Sequence, residues 1–260
     1  MDWRAPDGVE ISYEVVGEGP PVLLLHGFAS DARTNWVRTG VVDALVDCGF
    51  QVAMYDARGH GKSGKPHDPA AYATSVMLDD ARGLIEHLGY PSVHVVGYSM
   101  GAKLAMRLAA DYQRVQRAVL GGLGDLLVPI GVAGTAYPAG NIAAALETDD
   151  VSSITEPTPR AFRAFANATK ADRRALAALQ RARRTEPPLD LGALTVPTLI
   201  ITGEQDTLAG DPAALAAAIP GARYKIVPGN HLSAVLSKEF SVAVTSFLSK
   251  PDALHTNIIS

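Results

Sequence analysis

The sequence has almost no cysteine and no excess of basic charge. Cys48 is the only cysteine in 260 residues, so neither an intrachain disulfide nor a multi-cysteine metal site can form. The 23 Lys and Arg residues are outnumbered by 27 Asp and Glu, which gives a formal net charge of −4. Proteins that bind a phosphate backbone carry clustered, excess basic charge. We therefore expect no nucleic-acid partner.

Long hydrophobic runs are also missing. No run approaches the roughly 18 apolar residues of a membrane-spanning helix, and the segment Met1 to Pro6 has no apolar stretch of the kind that directs secretion. These absences predict a cytoplasmic protein without membrane insertion. No histidine is paired with a carboxylate at a metal-ligand spacing, so we predict neither a metal nor another cofactor.

What is present is an alternation of short apolar strands and helical patterns. Such alternation is typical of a mostly parallel sheet that is covered by helices on both faces. The predicted strands cover residues 9–16, 22–25, 51–55, 92–96, 118–121, 198–202 and 223–227, and the predicted helices cover 39–48, 74–88, 212–219 and 233–248.

One interval between strands is far too long for a simple crossover. It separates the strand ending near Gly121 from the strand starting near Thr198. Thr158-Pro159 is predicted to open one helix in this interval, and Thr169-Lys170-Ala171-Asp172 to form a capping box that opens a second helix reaching about residue 184. We therefore predict a helical cap over residues 123–190 and an α/β core formed by residues 1–122 and 191–260.

The motif Gly97-Tyr98-Ser99-Met100-Gly101 lies between the apolar run 93–96 and a helical pattern over 102–110. A serine on a tight strand-to-helix turn is lifted clear of the sheet, and small flanking residues relieve the crowding that such a turn causes. Ser99 is therefore a candidate nucleophile.

Other loops that follow predicted strands carry the partners that a serine nucleophile needs. Asp206 follows one late strand and His231 follows the next, so the chain order is Ser, Asp, His. His231 is predicted to take the proton of the Ser99 hydroxyl, and Asp206 to fix the tautomer of His231. Asp125, which follows the strand ending near Gly121, is an alternative acid.

The segment Gly59-His60-Gly61-Lys62-Ser63-Gly64 matches the G-x-G-x-x-G pattern of dinucleotide-binding loops. In such loops the last glycine opens a helix that faces the pyrophosphate. Here Lys65-Pro66-His67-Asp68-Pro69 follows, and a helix cannot start there. We predict a structural turn rather than a nucleotide site.

Taken together, the chain resembles the α/β-hydrolase family. The resemblance covers nearly the whole chain and rests on His26-Gly27-Phe28, Gly59-His60-Gly61-Lys62-Ser63, the Ser99 motif, Asp206 and Gly229-Asn230-His231. It implies an eight-stranded, mostly parallel sheet with helices on both faces, a small helical cap inserted after the sixth strand, and a Ser-His-Asp triad. The backbone N–H of Met100, together with that of Phe28 by resemblance, is expected to form an oxyanion hole.

The resulting hypothesis is a carboxylesterase-like serine hydrolase. It would cleave an ester of a small to medium, largely apolar small molecule through an acyl-enzyme on Ser99. Members of the family that open epoxides or remove halide use an aspartate nucleophile, so Ser99 argues against both activities. The candidate substrate-binding residues are Phe28, Leu123, Leu126, Leu127, Phe162 and Phe165.

Four alternatives remain open at this point. Three use the same triad: carbon–carbon bond hydrolysis of ring-fission products, thioester hydrolysis, and perhydrolase or cofactor-free haloperoxidase activity. The fourth is a non-catalytic protein that binds a ligand on the hydrolase fold, because a fold alone does not establish activity.

Overall fold

A computed structural model describes residues 1–128, 139–182 and 188–250. Eight strands form one sheet in the order β1-β2-β4-β3-β5-β6-β7-β8. β1 pairs antiparallel with β2, and β2 pairs antiparallel with β4, whereas every pair from β4 to β8 in that order is parallel. The predicted α/β-hydrolase fold is confirmed. The strands are β1 (Asp2–Arg4), β2 (Glu10–Val16), β3 (Pro21–Leu25), β4 (Gln51–Tyr55), β5 (Val93–Tyr98), β6 (Val115–Gly121), β7 (Thr198–Gly203) and β8 (Arg223–Val227).

Helices cover the sheet because its central strands are apolar on both faces. Leu23 and Val95 belong to the core that includes residues of α2 and α3, whereas Val22 and Val96 belong to the core that includes residues of α1 and α8. No described helix combines the length and the apolar character needed to cross a bilayer. The helices are α1 (Val41–Asp47), α2 (Thr74–His87), α3 (Met100–Asp111), α4 (Ala139–Glu147), α5 (Pro157–Ala168), α6 (Arg173–Arg181), α7 (Pro212–Ala218) and α8 (Lys238–Leu248).

Helices α4, α5 and α6 lie between β6 and β7 in the chain, and α5 contacts the loop that follows β3. The Thr169 hydroxyl donates to the carbonyl of Ala29 at 2.9 Å. The Phe162 ring meets the Phe28 ring edge-on, with 5.6 Å between their centroids. The division of the chain into a core and a cap stays a prediction, and residues 129–138 and 183–187 of the predicted cap lie outside the described residues.

The predicted starts of the inserted helices were wrong. Helix α5 begins at Pro157, one residue before the predicted Thr158, and Glu156 precedes it. Thr169 closes α5 instead of opening α6. Asp172 caps α6, because its carboxylate accepts hydrogen bonds from the backbone N–H groups of Arg174 and Ala175.

Candidate active site

Ser99 lies on a strained turn between β5 and α3. Its backbone has φ 51° and ψ −107°, a conformation that costs a non-glycine residue free energy and is found mainly at functional sites. Its N–H donates to the carbonyl of Gly121 at 2.8 Å. A Cβ on Gly97 would come within 2.3 Å of the Gly101 oxygen, and one on Gly101 within 2.0 Å of the Leu25 oxygen. The turn is possible because both flanking residues are glycine.

The side chains of Ser99, His231 and Asp206 form a continuous hydrogen-bonded line. His231 Nε2 lies 2.9 Å from Ser99 Oγ, and His231 Nδ1 lies 2.9 Å from Asp206 Oδ2. An ionised carboxylate can only accept a hydrogen bond, so the ring hydrogen belongs on Nδ1. Nε2 is then free to accept the hydrogen of the serine hydroxyl.

Asp206 is held by its own loop after β7. Its Oδ1 accepts hydrogen bonds from the N–H groups of Leu208 and Ala209, and its side chain is fully buried. Asp125, the alternative acid, accepts the N–H of Asp211 at 2.7 Å. The structure therefore brings Asp206 to His231, whereas Asp125 bonds to the backbone of Asp211.

A hydrogen bond from Tyr98, the residue before Ser99, holds the loop that carries His231. The Tyr98 phenol donates to the backbone carbonyl of His231 at 2.9 Å, and burial raises the pKa of Tyr98 above its ordinary value. The phenol thus remains a hydrogen-bond donor, and it couples the positions of Ser99 and His231 directly.

Two backbone N–H groups beside Ser99 are available to a ligand. Within the described parts of the chain, neither the Phe28 N–H nor the Met100 N–H donates a hydrogen bond. Met100 is the first residue of α3, where backbone N–H groups have no partner inside the helix. Both groups therefore lack an acceptor in the described protein, and their role as oxyanion donors stays a prediction.

The segment that matched the nucleotide-binding pattern supports the Phe28 loop. His60 Nε2 accepts the N–H of Ala29 at 3.2 Å, and Ala29 has φ 60°. Asp56 accepts the N–H groups of Ala32 at 2.8 Å and Lys62 at 2.7 Å. His60 within the segment and Asp56 just before it thus hold neighbouring loops through their side-chain acceptors, which agrees with the predicted structural turn.

His60 is expected to make stability depend on pH. Burial, together with the neighbouring His26, lowers the pKa of His60 from 6.5 to about 3. In the unfolded chain His60 takes up a proton below pH 6.5, whereas in the fold it stays neutral. Its contribution to stability is therefore complete above that pH and is lost as the pH falls towards 3.

Urea unfolding of the wild type and of His60→Gln, which keeps an oxygen acceptor for Ala29, measures this contribution. Between about pH 7.5 and about pH 5.5, the wild type is expected to lose about 1.4 kcal/mol more unfolding free energy than the variant. Equal losses in the two proteins would show that His60 titrates normally in the fold.

A cavity of about 140 Å³ adjoins Ser99 and His231. Among the predicted substrate-binding residues, Phe28, Phe162 and Phe165 line it. Four polar residues that sequence reasoning missed also line it, namely Ser30, Thr34, Asn35 and Thr39. So do three missed apolar residues from the loop after β8, namely Leu232, Val235 and Leu236.

The three predicted leucines do not line this cavity. Leu123 is fully buried in the core, and Leu126 is 52% exposed. Leu127 is partly buried and packs against the core. The reason is that the chain after β6 is held against β7 and the loop that follows it. The Leu123 carbonyl accepts the Thr202 hydroxyl of β7, and the Leu126 N–H donates to the carbonyl of Ala209 in the loop.

The described residues contain no group of three or more ligating side chains placed to hold a metal ion.

A sequence model for the α/β-hydrolase fold matches residues 20–170. The chain belongs to the α/β-hydrolase family. This confirms the resemblance carried by the sequence motifs.

Known α/β-hydrolases resemble this one over nearly its full length. It is 28% identical to a hydrolase from Pseudomonas aeruginosa PA01, over 96% of this chain and 98% of that chain, with a TM-score of 0.78. An enol-lactonase from Burkholderia xenovorans LB400 is 26% identical over 96% of this chain and all of that chain, with a TM-score of 0.77.

A curated α/β-hydrolase relative matches over a shorter stretch. The non-heme haloperoxidase of Rhodococcus erythropolis is 37% identical over 123 residues, which is 45% of this chain and 42% of that protein. The chain aligns with less than half the length of the curated relatives it matches. These similar proteins are enzymes, and they carry out different reactions on a common fold.

Proposed function

We propose that this α/β-hydrolase is a serine esterase that cleaves a carboxylic ester of a small, largely apolar substrate. The observation that carries the proposal is the line from Ser99 Oγ through His231 to Asp206, with 2.9 Å at each of its two steps. A serine hydroxyl is a weak nucleophile unless an adjacent base takes its proton. This line supplies the base and the group that orients it.

In the first half of the proposed reaction, Ser99 Oγ attacks the ester carbonyl carbon while His231 Nε2 takes the hydroxyl proton. The carbonyl oxygen becomes negatively charged, and the N–H groups of Phe28 and Met100 donate to it. The tetrahedral species then expels the alcohol oxygen, which receives the proton from His231. An acyl group remains bound to Ser99.

In the second half, water replaces the alcohol. His231 takes a proton from the water while the water oxygen attacks the acyl carbon. The oxyanion again forms beside Phe28 and Met100, and Ser99 leaves as it recovers its proton from His231. A carboxylic acid is released, and the Asp206 carboxylate stabilises the charged imidazole in both halves.

The size of the cavity predicts a preference for short acyl chains. Pockets for drug-sized ligands measure about 300–1,000 Å³, whereas this cavity measures about 140 Å³. We expect kcat/KM for p-nitrophenyl butanoate to exceed that for the decanoate by roughly tenfold or more. The additional methylenes of the decanoate must either stay outside the cavity or be forced into it. Steady-state hydrolysis along a chain-length series measures the preference.

Phe162→Ala is the matched variant for this series, because it removes a ring that lines the cavity and packs on Phe28. It is expected to shift the optimum towards longer chains and to leave butanoate hydrolysis measurable. A wild type that prefers the decanoate would contradict the proposal that the size of this cavity limits the length of the acyl chain.

A further inference from the structure

The cavity beside Ser99 has one polar side, formed by a single segment of the chain. Ser30, Thr34, Asn35 and Thr39 all lie within the ten-residue segment 30–39, and two of them belong to a π-helix over Arg33–Val37. π-Helical turns are rare and are found frequently at functional sites. A wall of three hydroxyls and an amide is more polar than an unsubstituted acyl chain requires.

The amide of Asn35 is the most informative group in this wall. Asn35 is 5% exposed. Its Oδ1 accepts the N–H of Gly27 at 2.9 Å. Because a backbone N–H can only donate, the atom that faces Gly27 must be the oxygen, and this fixes the orientation of the amide.

The nitrogen of the same amide is left without an acceptor. Within the described residues, Asn35 Nδ2 is buried and has no hydrogen-bond partner. Buried donors are nearly always paired, and an unpaired one is costly. Asn35 also lines the cavity that adjoins Ser99. A ligand in that cavity is therefore the natural source of the missing acceptor.

The three hydroxyl groups of the wall are not free to donate to a ligand oxygen, because their hydrogens are directed at acceptors in the protein. The Thr34 hydroxyl donates to Asp31 at 3.1 Å, and the Thr39 hydroxyl donates to the carbonyl of Asn35 at 2.9 Å. The Ser30 hydroxyl faces the carbonyl of Asp31 at 3.4 Å. Among the described wall residues, Asn35 is thus the side chain with a hydrogen to spare.

We propose that Asn35 is a specificity residue that binds a second oxygen of the substrate, on the acyl group beside the scissile ester. This inference rests on the proposed esterase function and names its substrate class: short esters whose acyl chain carries a keto or ether oxygen. Nδ2 donates to that oxygen, while Oδ1 holds Gly27, the residue before the Phe28 donor. One amide thereby links recognition of the acyl group to the position of the oxyanion site.

Two substrate pairs of matched length separate these two actions of Asn35. They are p-nitrophenyl 4-oxopentanoate against the pentanoate, and p-nitrophenyl methoxyacetate against the butanoate. Loss of the Gly27 contact slows all four esters together. Loss of the Nδ2 donor slows only the esters that carry the additional oxygen, so the ratio of kcat/KM within each pair reports the proposed contact.

The variants are Asn35→Ala and Asn35→Asp. The second keeps an oxygen for Gly27 and replaces the NH₂ by another oxygen, so it remains informative if Asn35→Ala does not fold. Asn141→Ala, on an asparagine of α4 that bonds to Glu156 instead of lining the cavity, is the control.

In at least one pair, the ratio of oxygen-bearing to plain ester is expected to fall by about tenfold in both Asn35 variants, the size of one lost hydrogen bond. Asn141→Ala is expected to keep the wild-type ratio. Ratios that are unchanged in both pairs would overturn the assignment of Asn35 while leaving the esterase proposal intact. An absence of Ser99-dependent turnover with all four esters would instead overturn the esterase proposal itself.

Discussion

Ser99→Ala is expected to lower kcat for p-nitrophenyl butanoate by roughly 10⁶-fold. The substitution removes the oxygen that forms the acyl-enzyme, and no other hydroxyl lies at hydrogen-bond distance from His231 Nε2 in the described chain. The cavity and the two proposed oxyanion donors remain, so weak binding and a small residual rate above the uncatalysed reaction are expected. Steady-state hydrolysis with the purified variant measures the loss.

The fold of Ser99→Ala should be intact, because the Ser99 hydroxyl bonds to His231 and the strained backbone is held by the Ser99 N–H and the neighbouring glycines. Thermal unfolding followed by circular dichroism provides this control. A folded variant that keeps a substantial part of the wild-type rate would place the nucleophile elsewhere.

Asp206→Asn is expected to lower kcat by about 10⁴-fold. An asparagine at this position turns an NH₂ group towards His231 Nδ1, which then accepts a hydrogen bond and leaves the ring proton on Nε2. With Nε2 protonated, His231 cannot take the proton of Ser99. The effect should appear mainly in kcat, because Asp206 is not among the residues that line the cavity.

Asp125→Asn is the matched control for this substitution. Asp125 accepts the N–H of Asp211, and an asparagine oxygen can accept the same hydrogen bond. We therefore expect kcat close to that of the wild type. The opposite pattern, with Asp125→Asn inactive and Asp206→Asn active, would assign the acid to the loop after β6.

The sheet and the nucleophile turn were predictable because their signals are local. The predicted strands 51–55 and 223–227 match β4 and β8, and a short apolar run bounded by turn residues specifies β4. Ser99, Asp206 and His231 follow β5, β7 and β8, and parallel strands bring such loops to one edge of the sheet. The chain order of these motifs was therefore sufficient to place them together.

Elements that depend on tertiary contacts were not predictable. Strand β1 has three residues and forms through antiparallel pairing with β2, in which Trp3 lies opposite Ile11. Its length is too short for any periodic pattern. The capping box at Thr169 was wrong for a similar reason, since the Thr169 hydroxyl bonds to Ala29 and residues of α5 rather than to α6.

The lining of the cavity was the least predictable part of the site. The leucines after β6 were expected there because they follow a strand of the predicted sheet, but that segment bonds to β7 and to the loop after it. Asn35 carries no sequence signal of its own. It belongs to a π-helix that sequence patterns did not predict, and its unpaired donor is found only when the hydrogen bonds of its amide are counted.

Covalent labelling by a fluorophosphonate is the sharpest test of Ser99 as the nucleophile, because it requires an activated serine and no knowledge of the natural substrate. We expect the wild type to gain one phosphonyl group, located by peptide mass spectrometry on Ser99, and Ser99→Ala to gain none. A folded wild type that stays unlabelled, or that is labelled on another residue, would contradict the assignment of Ser99 as the nucleophile.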